Sequence, residues 1–319
     1  MQNSIINLLD MRKLIIIIHI FFIGFVVNAQ QDPMFTHYAF NTLAINPAYA
    51  GTRDALTITG LHRTQWVNFE GAPITQTLTG HTPVFNNKVG IGLSVLNDKI
   101  GPTNTSSFYV DFSYKIKIND RAKLSFGLKG GLNYKKTDLT AISIKDEDDP
   151  LFFNDVKSDF LPNFGFGLYY YTDKYYVGVS IPKLLENDFT ENTVTGSTDL
   201  ASEQKHYFII GGAVIKLSEK ITLKPTSFIK ITNAAPIEGD ITANFIFMDK
   251  FWVGLMYRTG DALGALAGIN ITDQLAVGYS FDWSMTNTTF KYNQGSHEIM
   301  VRYDFIFKEK RIIRSPRYF

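Results

Sequence analysis

Cysteine is absent from this sequence of 319 residues, and both net charge and long apolar runs are scarce. Without cysteine the chain can be neither a disulfide-stapled secreted scaffold nor a lipoprotein tethered through an N-terminal cysteine. The formal net charge of +1 gives no electrostatic reason to expect nucleic acid as a partner. Beyond the first 30 residues, no run approaches the roughly 18 apolar residues that a membrane-spanning helix needs.

The first 29 residues are predicted to be a secretory signal peptide. Met11 to Ala29, MRKLIIIIHIFFIGFVVNA, combines two basic residues, an apolar run of signal-peptide length and small or medium residues before a cut near Ala29. Met11 is a possible true start, and a single N-terminal membrane anchor is the alternative interpretation, although His19 and Gly24 interrupt the run. Both interpretations predict that the rest of the chain is exported.

Aromatic residues make up 14% of the chain, and many of them follow a strand-like alternation. In FYVDFSYKIKI, residues 108–118, aromatic and aliphatic side chains occupy the even positions, whereas Asp111, Ser113, Lys115 and Lys117 occupy odd ones. This period of two is that of a pleated strand. The stretches LSFGLKGGLNYK (124–135), LAVGYSFDW (275–283) and IMVRYDFIF (299–307) repeat it. These patterns predict an all-β fold.

Counting such segments predicts about 14 strands. They start near residues 54, 73, 88, 104, 122, 160, 175, 205, 221, 240, 251, 263, 275 and 296, and Pro225 inside one of them predicts a bulge or a strand end. Short turns such as PVFNNK alternate with connections that are mostly longer, including 137–159 and 182–204. That alternation is typical of an antiparallel outer-membrane β-barrel, with turns in the periplasm and loops outside. A soluble β-sandwich or propeller is the alternative.

The predicted barrel covers residues 54–307, and its outward apolar face would meet outer-membrane lipid. An even strand count predicts that both the N- and C-termini are periplasmic. Residues 30–53 would then lie inside the lumen or against the periplasmic mouth, and the basic stretch KEKRIIRSPRYF, residues 308–319, would be a periplasmic tail.

The stretch QDPMFTHYAFNTLAINPAYAG, residues 31–51, and the later HRTQWVNFEGAPITQTLTGHT strongly resemble the opening of the PorP/SprF family of type IX secretion outer-membrane proteins. The resemblance continues through PNFGFGLYYYTDKYYVGVSIPKLL and FWVGLMYRTGD into the last strand. Its most specific parts are the run Asn46 to Gly51 and the trio Arg63, Gln65 and Trp66.

The resemblance implies a role in type IX protein export and gliding in Bacteroidota, with no catalysis. One implied branch exports or retains a secreted surface adhesin through its C-terminal targeting domain. The other branch anchors the periplasmic type IX motor or peptidoglycan-binding proteins at the outer membrane. The residues do not distinguish the two branches.

Seven residues are candidates for a plug or a partner contact. Asn46 and Pro47 favour a turn, and Gly51 permits a sharp bend into the first strand, so this run, with Tyr49, could fold into the lumen as a plug. Arg63, Gln65 and Trp66 are predicted just past the first strand, on the outer side, where arginine and aromatic side chains suit a protein contact. The alternatives are an aromatic girdle for Trp66 and a lumenal ion pair with Glu70 for Arg63.

No catalytic, cofactor or metal site is predicted. The histidines are scattered without zinc-ligand spacing, and the acidic run KDEDDP lacks the spaced ligands of a calcium loop. The second hypothesis is a porin or a carrier of hydrophobic molecules, in which residues 30–53 act as a gate. Its lumen would be lined by Lys115, Lys117, Lys129 and Lys135.

Overall fold

The computed structural model describes residues 32–138, 156–157, 160–193, 196–233, 235–285 and 294–306. The predicted signal peptide, the KDEDDP run and the basic tail lie outside these residues. No helix in the described part of the chain is long and apolar enough to cross a membrane.

The described chain contains eighteen β-strands, a short α-helix and one turn of 3₁₀ helix. The strands are β1 (Leu56–Thr64), β2 (Ile74–Val84), β3 (Val89–Ile100), β4 (Thr103–Lys117), β5 (Ala122–Thr137), β6 (Val156–Lys157), β7 (Leu161–Thr172), β8 (Tyr175–Ile181), β9 (Asp188–Thr193), β10 (Gly196–Ser202), β11 (His206–Ala213), β12 (Ile215–Lys216), β13 (Ile221–Thr232), β14 (Ala235–Phe247), β15 (Phe251–Arg258), β16 (Ala262–Asn270), β17 (Leu275–Ser284) and β18 (Ser296–Phe305). The α-helix spans Thr42–Ile45 and the 3₁₀ turn Pro47–Tyr49.

Fourteen of the described strands form one closed antiparallel barrel. Around the wall they follow the order β1, β2, β3, β4, β5, β7, β8, β11, β13, β14, β15, β16, β17 and β18, and β18 pairs with β1 to close the ring. The short strands β6 and β12 extend the pairing of β5 and β13, and β9 pairs with β10 as a separate hairpin. The predicted all-β barrel of about 14 strands is therefore confirmed. The largest difference in a start is at β14, which begins at Ala235 instead of near residue 240.

The barrel is apolar outside and polar inside. In β4, Phe108, Val110 and Phe112 are 45 to 50% exposed, whereas Asp111 and Ser113, at alternate positions, are fully buried. Because lipid surrounds an outer-membrane barrel, the apolar side chains belong on the outward face, and the alternation of the pleat sends their neighbours into the lumen. The burial pattern of β4 therefore follows directly from the period of two in the sequence.

The two rims of the barrel differ in their connections. One rim, which we call the turn end, carries the connections 85–88, 118–121, 173–174, 214–220, 248–250 and 271–274. The other rim, the loop end, carries the connections 65–73, 138–160, 182–205 and 285–295, together with three short ones at 101–102, 233–234 and 259–261. This sorting agrees with the predicted pattern, and the assignment of the turn end to the periplasm stays a prediction.

Pro225 lies in the middle of β13, opposite Ala243 of β14, and the prediction of a bulge or a strand end at this proline is wrong. The irregularity of β13 lies further along, between Lys230 and Thr232. On its other edge, β13 pairs with β12 at Thr222 and Leu223 and with β11 from Thr226 to Thr232. Pro225 therefore faces a break between two partner strands, where its missing N–H costs no ladder hydrogen bond.

The turn between β14 and β15 contains two residues with strained, left-handed backbone. Met248 and Asp249 have φ of 51° and 54°, and Lys250 N–H donates to Phe247 O at 2.9 Å, which is a two-residue type I′ turn. Asparagine tolerates this left-handed backbone, which costs most L residues about 1 kcal/mol. We expect Met248→Asn to raise the free energy of unfolding by about that amount, measured from denaturant titrations in lipid vesicles.

The matched control is Met285→Asn, because Met285 is exposed to a similar degree, 56% against 60%, and has no positive φ. It should give no gain. An equal gain in the two variants would contradict the assignment of strain to the turn.

Candidate functional site

Residues Asp32 to Asp54, which we call the lumenal segment, run through the inside of the barrel. Most of their side chains are buried, and Tyr38, Leu43 and Ala48 are at most 1% exposed. The segment packs in one apolar cluster with side chains that the wall turns inward, namely Leu61, Tyr169, Tyr176, Phe208, Ile210 and Phe228. The wall otherwise turns many polar groups inward, and a small apolar core forms where this segment lies against it.

The lumenal segment crosses the full length of the lumen. Asp32 lies at the loop end, where Lys183 Nζ is 2.7 Å from Asp32 Oδ1. Gly51 lies near the turn end, where its N–H donates to His81 Nδ1 at 3.0 Å, and Asp54 accepts from the side chain of Asn87 in a turn-end connection at 2.9 Å.

This extra crossing places the first described residue and the end of the last strand at opposite rims. Phe305 at the end of β18 pairs with Leu56 at the turn end, so Asp32 and Phe305 lie at opposite rims. The even strand count led us to expect both ends on one side. That inference omitted the crossing by the lumenal segment, which adds one more passage through the barrel.

The run Asn46 to Gly51 presses against the wall in a compact turn. Asn46 Oδ1 accepts from the N–H of Ala48 at 2.9 Å and caps the 3₁₀ turn, whose first residue is Pro47. Asn46 Nδ2 donates to Leu168 O of β7 at 3.0 Å. One side chain therefore shapes the turn and ties it to the wall.

Tyr49 completes this contact with the wall. Its ring packs edge-on against Tyr169 and His81, with centroids 5.5 Å and 5.2 Å away. Edge-to-face pairs at this spacing contribute about 0.5–1.5 kcal/mol beyond the area that they bury. The aromatic residue of the run is thus an anchor inside the barrel.

Glycines of the wall make room for this run. A Cβ on Gly90, Gly127 or Gly167 would overlap Ala50 O, Ala48 N or Asn46 Oδ1, respectively. Gly51 itself has a φ of +64°, which most side chains avoid. Glycine at these three strand positions is therefore explained by the close approach of the lumenal segment.

A buried cluster of charges fixes the segment near the loop end. Glu298 of β18 is fully buried and accepts from the backbone N–H groups of Thr36 at 2.9 Å and His37 at 2.6 Å. Its Oε1 also lies 2.7 Å from His37 Nδ1. Arg63 Nη1 lies 3.2 Å from Glu298 and 2.8 Å from Asp282, and it donates to Thr36 Oγ1 at 2.8 Å. We call these five residues the Glu298 cluster.

Arg63 lies within β1, is 1% exposed and points into the lumen. The sequence placed it just past the strand, with Glu70 as the alternative ion-pair partner. Its observed carboxylate partners are Asp282 and Glu298, which are more than two hundred residues away in sequence. They lie on the two strands that precede barrel closure, and only the β18–β1 pairing brings them next to Arg63.

Gln65 and Trp66 lie in the loop-end connection after β1. The N–H of Gln65 donates to Pro73 O at 2.9 Å, and that of Trp66 to Ser296 Oγ at 3.2 Å. Trp66 is partly exposed, and its ring meets Phe69 edge-on at 6.5 Å. The structure thus gathers Asn46, Pro47, Tyr49, Gly51 and Arg63 in the lumen and leaves these two at the rim. A partner contact by any of the seven stays a prediction.

Two ion pairs hold the ends of the lumenal segment. At the loop end, Asp32 lies between Lys183 and His206, with Lys183 Nζ 2.7 Å from Asp32 Oδ1 and His206 Nδ1 3.6 Å from Asp32 Oδ2. At the turn end, Arg53 Nη2 lies 2.9 Å from Asp304 Oδ2, and Arg53 Nε donates to Asp304 Oδ1 at 3.3 Å. Each pair joins a charge of the lumenal segment to an opposite charge of the barrel.

Two of the four lysines that were expected to line an open lumen bind the segment instead. Lys115 donates to Gly51 O, and Lys129 donates to Leu43 O at 3.3 Å and pairs with Asp111 at 3.3 Å. Lys117 is not lumenal: it is exposed at the turn end and pairs with Asp120 at 2.6 Å. The alternation breaks there because the strand ends at the rim. Lys135 lines a cavity at the loop end.

Two cavities flank the segment near the loop end, with volumes of about 50 and 40 Å³. Asp32, Pro33 and Lys183 line both of them. Such volumes admit a few water molecules, since one water needs about 10–15 Å³ of this kind of space. Among the described residues, no group of three histidine, aspartate or glutamate side chains is placed to hold a metal ion.

Sequence reasoning missed the Glu298 cluster apart from Arg63, and it missed the role of the glycines. Thr36, His37 and Glu298 carry no local motif, because their contacts span more than 200 residues of sequence. The glycines did leave a signal in the sequence. Gly90, Gly127 and Gly167 occupy inward positions of strands with a period-two pattern, and glycine within a strand often marks a close approach of another backbone.

Comparison with protein families gives one match, to the model described as "Type IX secretion system membrane protein PorP/SprF", over residues 27–303. No curated protein matches. Among solved structures, the CymD monoaromatic hydrocarbon channel is similar with a TM-score of 0.50 and 12% identity, over 84% of this chain and 93% of that one. A Pseudomonas aeruginosa FadL homologue has a TM-score of 0.47 and 13% identity, over 88% and 96%. At such identities the similarity shows the barrel fold alone.

The glycine contacts predict that the wall tolerates a methyl group only away from the segment. Gly127→Ala puts a Cβ against the backbone of Ala48, so we expect it to lower the free energy of unfolding by about 1–3 kcal/mol, as overpacking does. Denaturant titration in lipid vesicles measures this. Gly80→Ala is the control, because its Cβ would meet nothing closer than 3.9 Å. Equal losses of unfolding free energy in the two variants would show that the close approach of the lumenal segment does not require glycine at position 127.

The Glu298 cluster predicts a large difference between a buried and an exposed ion pair. Arg63→Met removes the cation that lies beside two buried carboxylates, and we expect it to cost about 3–5 kcal/mol of unfolding free energy. Lys117→Met removes an exposed pair and should cost less than about 1 kcal/mol. The same titrations measure both variants. Similar costs would contradict the anchoring role of the cluster.

Proposed function

Because the chain belongs to the PorP/SprF family of type IX secretion system membrane proteins, we propose that it holds a secreted surface adhesin at the outer membrane and is not an open channel. The observation that carries this proposal is the filled lumen. The lumenal segment occupies the barrel from rim to rim, and charged side chains of the wall bind it directly.

The filled lumen supports a role as a binding platform. An open porin keeps a continuous aqueous path through a polar interior. Here Lys115 and Lys129, which could attract anions, are bound to backbone carbonyls of the lumenal segment. The two cavities described beside the segment, of about 50 and 40 Å³, suit water better than a solute.

The loop end offers a partner a larger structured surface than the turn end does. The connection 182–205 is fastened across this rim by Glu203, whose carboxylate accepts from Asn133 of β5 at 3.0 Å, Asn163 of β7 at 3.2 Å and Asn187 at 2.8 Å. The β9–β10 hairpin extends from this fastened base. In contrast, the turn end carries short turns. With loops outside the cell, this difference favours a secreted adhesin, recognised through its C-terminal targeting domain, over the periplasmic motor.

We expect tagged protein, extracted with detergent from native outer membranes, to co-purify with a surface adhesin that mass spectrometry identifies. A variant with residues 188–202 replaced by a short glycine–serine linker should lose it. The linker closes without strain, because Glu203 N–H already donates to Asn187 O at 3.0 Å. The control, Lys117, Asp120 and Arg121 all changed to alanine at the turn end, should retain it.

Three outcomes would contradict the proposal. Recovery of motor or peptidoglycan-binding proteins, lost in the turn-end variant, would favour anchoring of the periplasmic complex. If the variant with residues 188–202 replaced still co-purified with the adhesin, the β9–β10 hairpin at the loop end would not be the adhesin's binding surface. A barrel without partners that conducts ions in planar bilayers would favour the transporter hypothesis.

A further inference from the structure

One sector of the outward wall is polar near the loop end. β3, β4 and β5 send mostly apolar side chains outward, but their last outward positions before this rim are polar. We call these residues the polar patch: Asn97 and Lys99 of β3, Asn104 and Ser106 of β4, and Lys136 of β5. The neighbouring Asp98, Ser107 and Lys135 are at most 8% exposed and point into the lumen, so the alternation of the pleat places the patch outside.

The strand register arranges the polar patch in two rows. Lys99 lies opposite Asn104, and Asn104 lies opposite Lys136, so two lysines flank one asparagine across three strands. Adjacent strands are about 4.8 Å apart, which puts the Cα atoms of the two lysines about 10 Å apart. In the row below, Asn97 Nδ2 donates to Asn104 Oδ1 at 2.8 Å and to Ser106 Oγ at 2.9 Å. The patch thus holds amide and hydroxyl groups in place beside two cations.

The polar patch lies at the height of lipid headgroups. Below it, the outward side chains of β4 and of the turn that follows are apolar and exposed from Phe108 to Ile118. At about 3.3 Å per residue and a tilt of about 40°, this stretch covers about 25 Å along the barrel axis, which is the usual height of the apolar band of such a barrel. Asn104 and Ser106 therefore lie beyond the acyl chains, on the loop-end side.

The aromatic girdle of the barrel is interrupted beside the polar patch. Near the loop end, β15 and β17 present Tyr257 and Trp283 outward, as is usual at a membrane interface. In β1, β2 and β3, which the structure describes completely, no outward side chain is phenylalanine, tyrosine or tryptophan. Gln76 of β2 lies opposite Asn97, and His62 of β1 lies opposite Gln76, so hydrogen-bonding groups continue the row there.

The charge of the polar patch suits an anion. Lys99 and Lys136 are its charged members, and none of the outward side chains of the fully described strands β1 to β5 is a carboxylate. Lysine binds phosphate as a point charge, and amide and hydroxyl groups both donate to and accept from sugar hydroxyls. A width of about 10 Å suits one headgroup, whereas a stable protein contact usually buries about 800 Å² of each partner.

We propose that the polar patch binds the phosphorylated sugar headgroup of a glycolipid in the outer leaflet of the membrane. The two lysines pair with its phosphates, Asn97, Asn104 and Ser106 hydrogen-bond its sugar hydroxyls, and the apolar band below receives its acyl chains. With the loop end outside the cell, this leaflet is the one that the patch faces. The inference depends on no protein partner, so it stands or falls separately from the proposed adhesin.

Binding of purified lipid A, a bisphosphorylated glucosamine disaccharide with acyl chains, tests this site. Each full-length barrel is delipidated in neutral detergent, heat-modifiable migration on gels confirms its folding, and native mass spectrometry measures the dissociation constant of the lipid. The charge variant combines Lys99→Gln with Lys136→Gln. Its control combines Lys88→Gln with Lys174→Gln, which removes two exposed lysines from turn-end connections. Phosphatidylglycerol is the second probe, because it is anionic and carries no sugar ring.

We expect the charge variant to bind lipid A about tenfold more weakly than the unchanged protein, and the turn-end control to bind it equally well. Asn104→Leu combined with Ser106→Leu keeps both lysines. It should weaken the binding of lipid A and leave that of phosphatidylglycerol unchanged. The control for this variant is Ser227→Leu, because Ser227 is exposed on the outward face of β13, away from the patch.

Three results would overturn the proposal. If the unchanged protein bound lipid A and phosphatidylglycerol equally well, the patch would attract any anionic lipid. If the charge variant and the turn-end control lost the same affinity for lipid A, the binding would not depend on the patch. If the charge variant bound lipid A normally but lost a membrane protein that co-purifies with the unchanged barrel, the patch would be a protein contact.

Discussion

The inside of this barrel must satisfy its own charges, and the rest of the structure depends on that constraint. Lipid around the wall requires apolar outward faces, so the alternation of each strand turns carboxylates, lysines and arginines inward. A buried charge without a partner costs several kcal/mol. Glu298 illustrates the solution, because it accepts from Thr36 and His37 of the lumenal segment and lies beside Arg63 of the wall. The segment is thus a structural part of the barrel interior.

Shape complements charge at the turn end of the lumen. The run Asn46 to Gly51 fits because wall glycines at positions 90, 127 and 167 let it approach where a Cβ atom would collide with it. Charge fixes the depth and direction of the segment, and the glycines fix how closely it packs. Cavities of about 50 and 40 Å³ lie beside the segment near the loop end, and these small volumes support the proposal of binding instead of passage.

Much of the fold could be predicted from local patterns. Period-two alternation identified β4 and β5, and the sorting of short turns and long connections identified a barrel, because both features repeat within a few residues. The lumenal location was one of two options for residues 30–53. Which residues meet inside the barrel could not be predicted, since Arg63 finds Asp282 and Glu298 only after closure joins the first strand to the last.

By itself, the sequence determined the class of structure: alternating apolar side chains fix which face meets lipid, the number of alternating segments gives the strand count, and the sorting of short and long connections indicates a barrel. The tertiary structure decided what the interior does. Lys117 lies outside the lumen, and Pro225 lies opposite a break between two partner strands. Both positions depend on where the strands end around the barrel. The direction of the lumenal segment depends on Asp32 and Arg53 meeting Lys183 and Asp304, charges that lie more than 150 residues away along the chain. Such contacts leave no local pattern, because only the closed barrel brings them together.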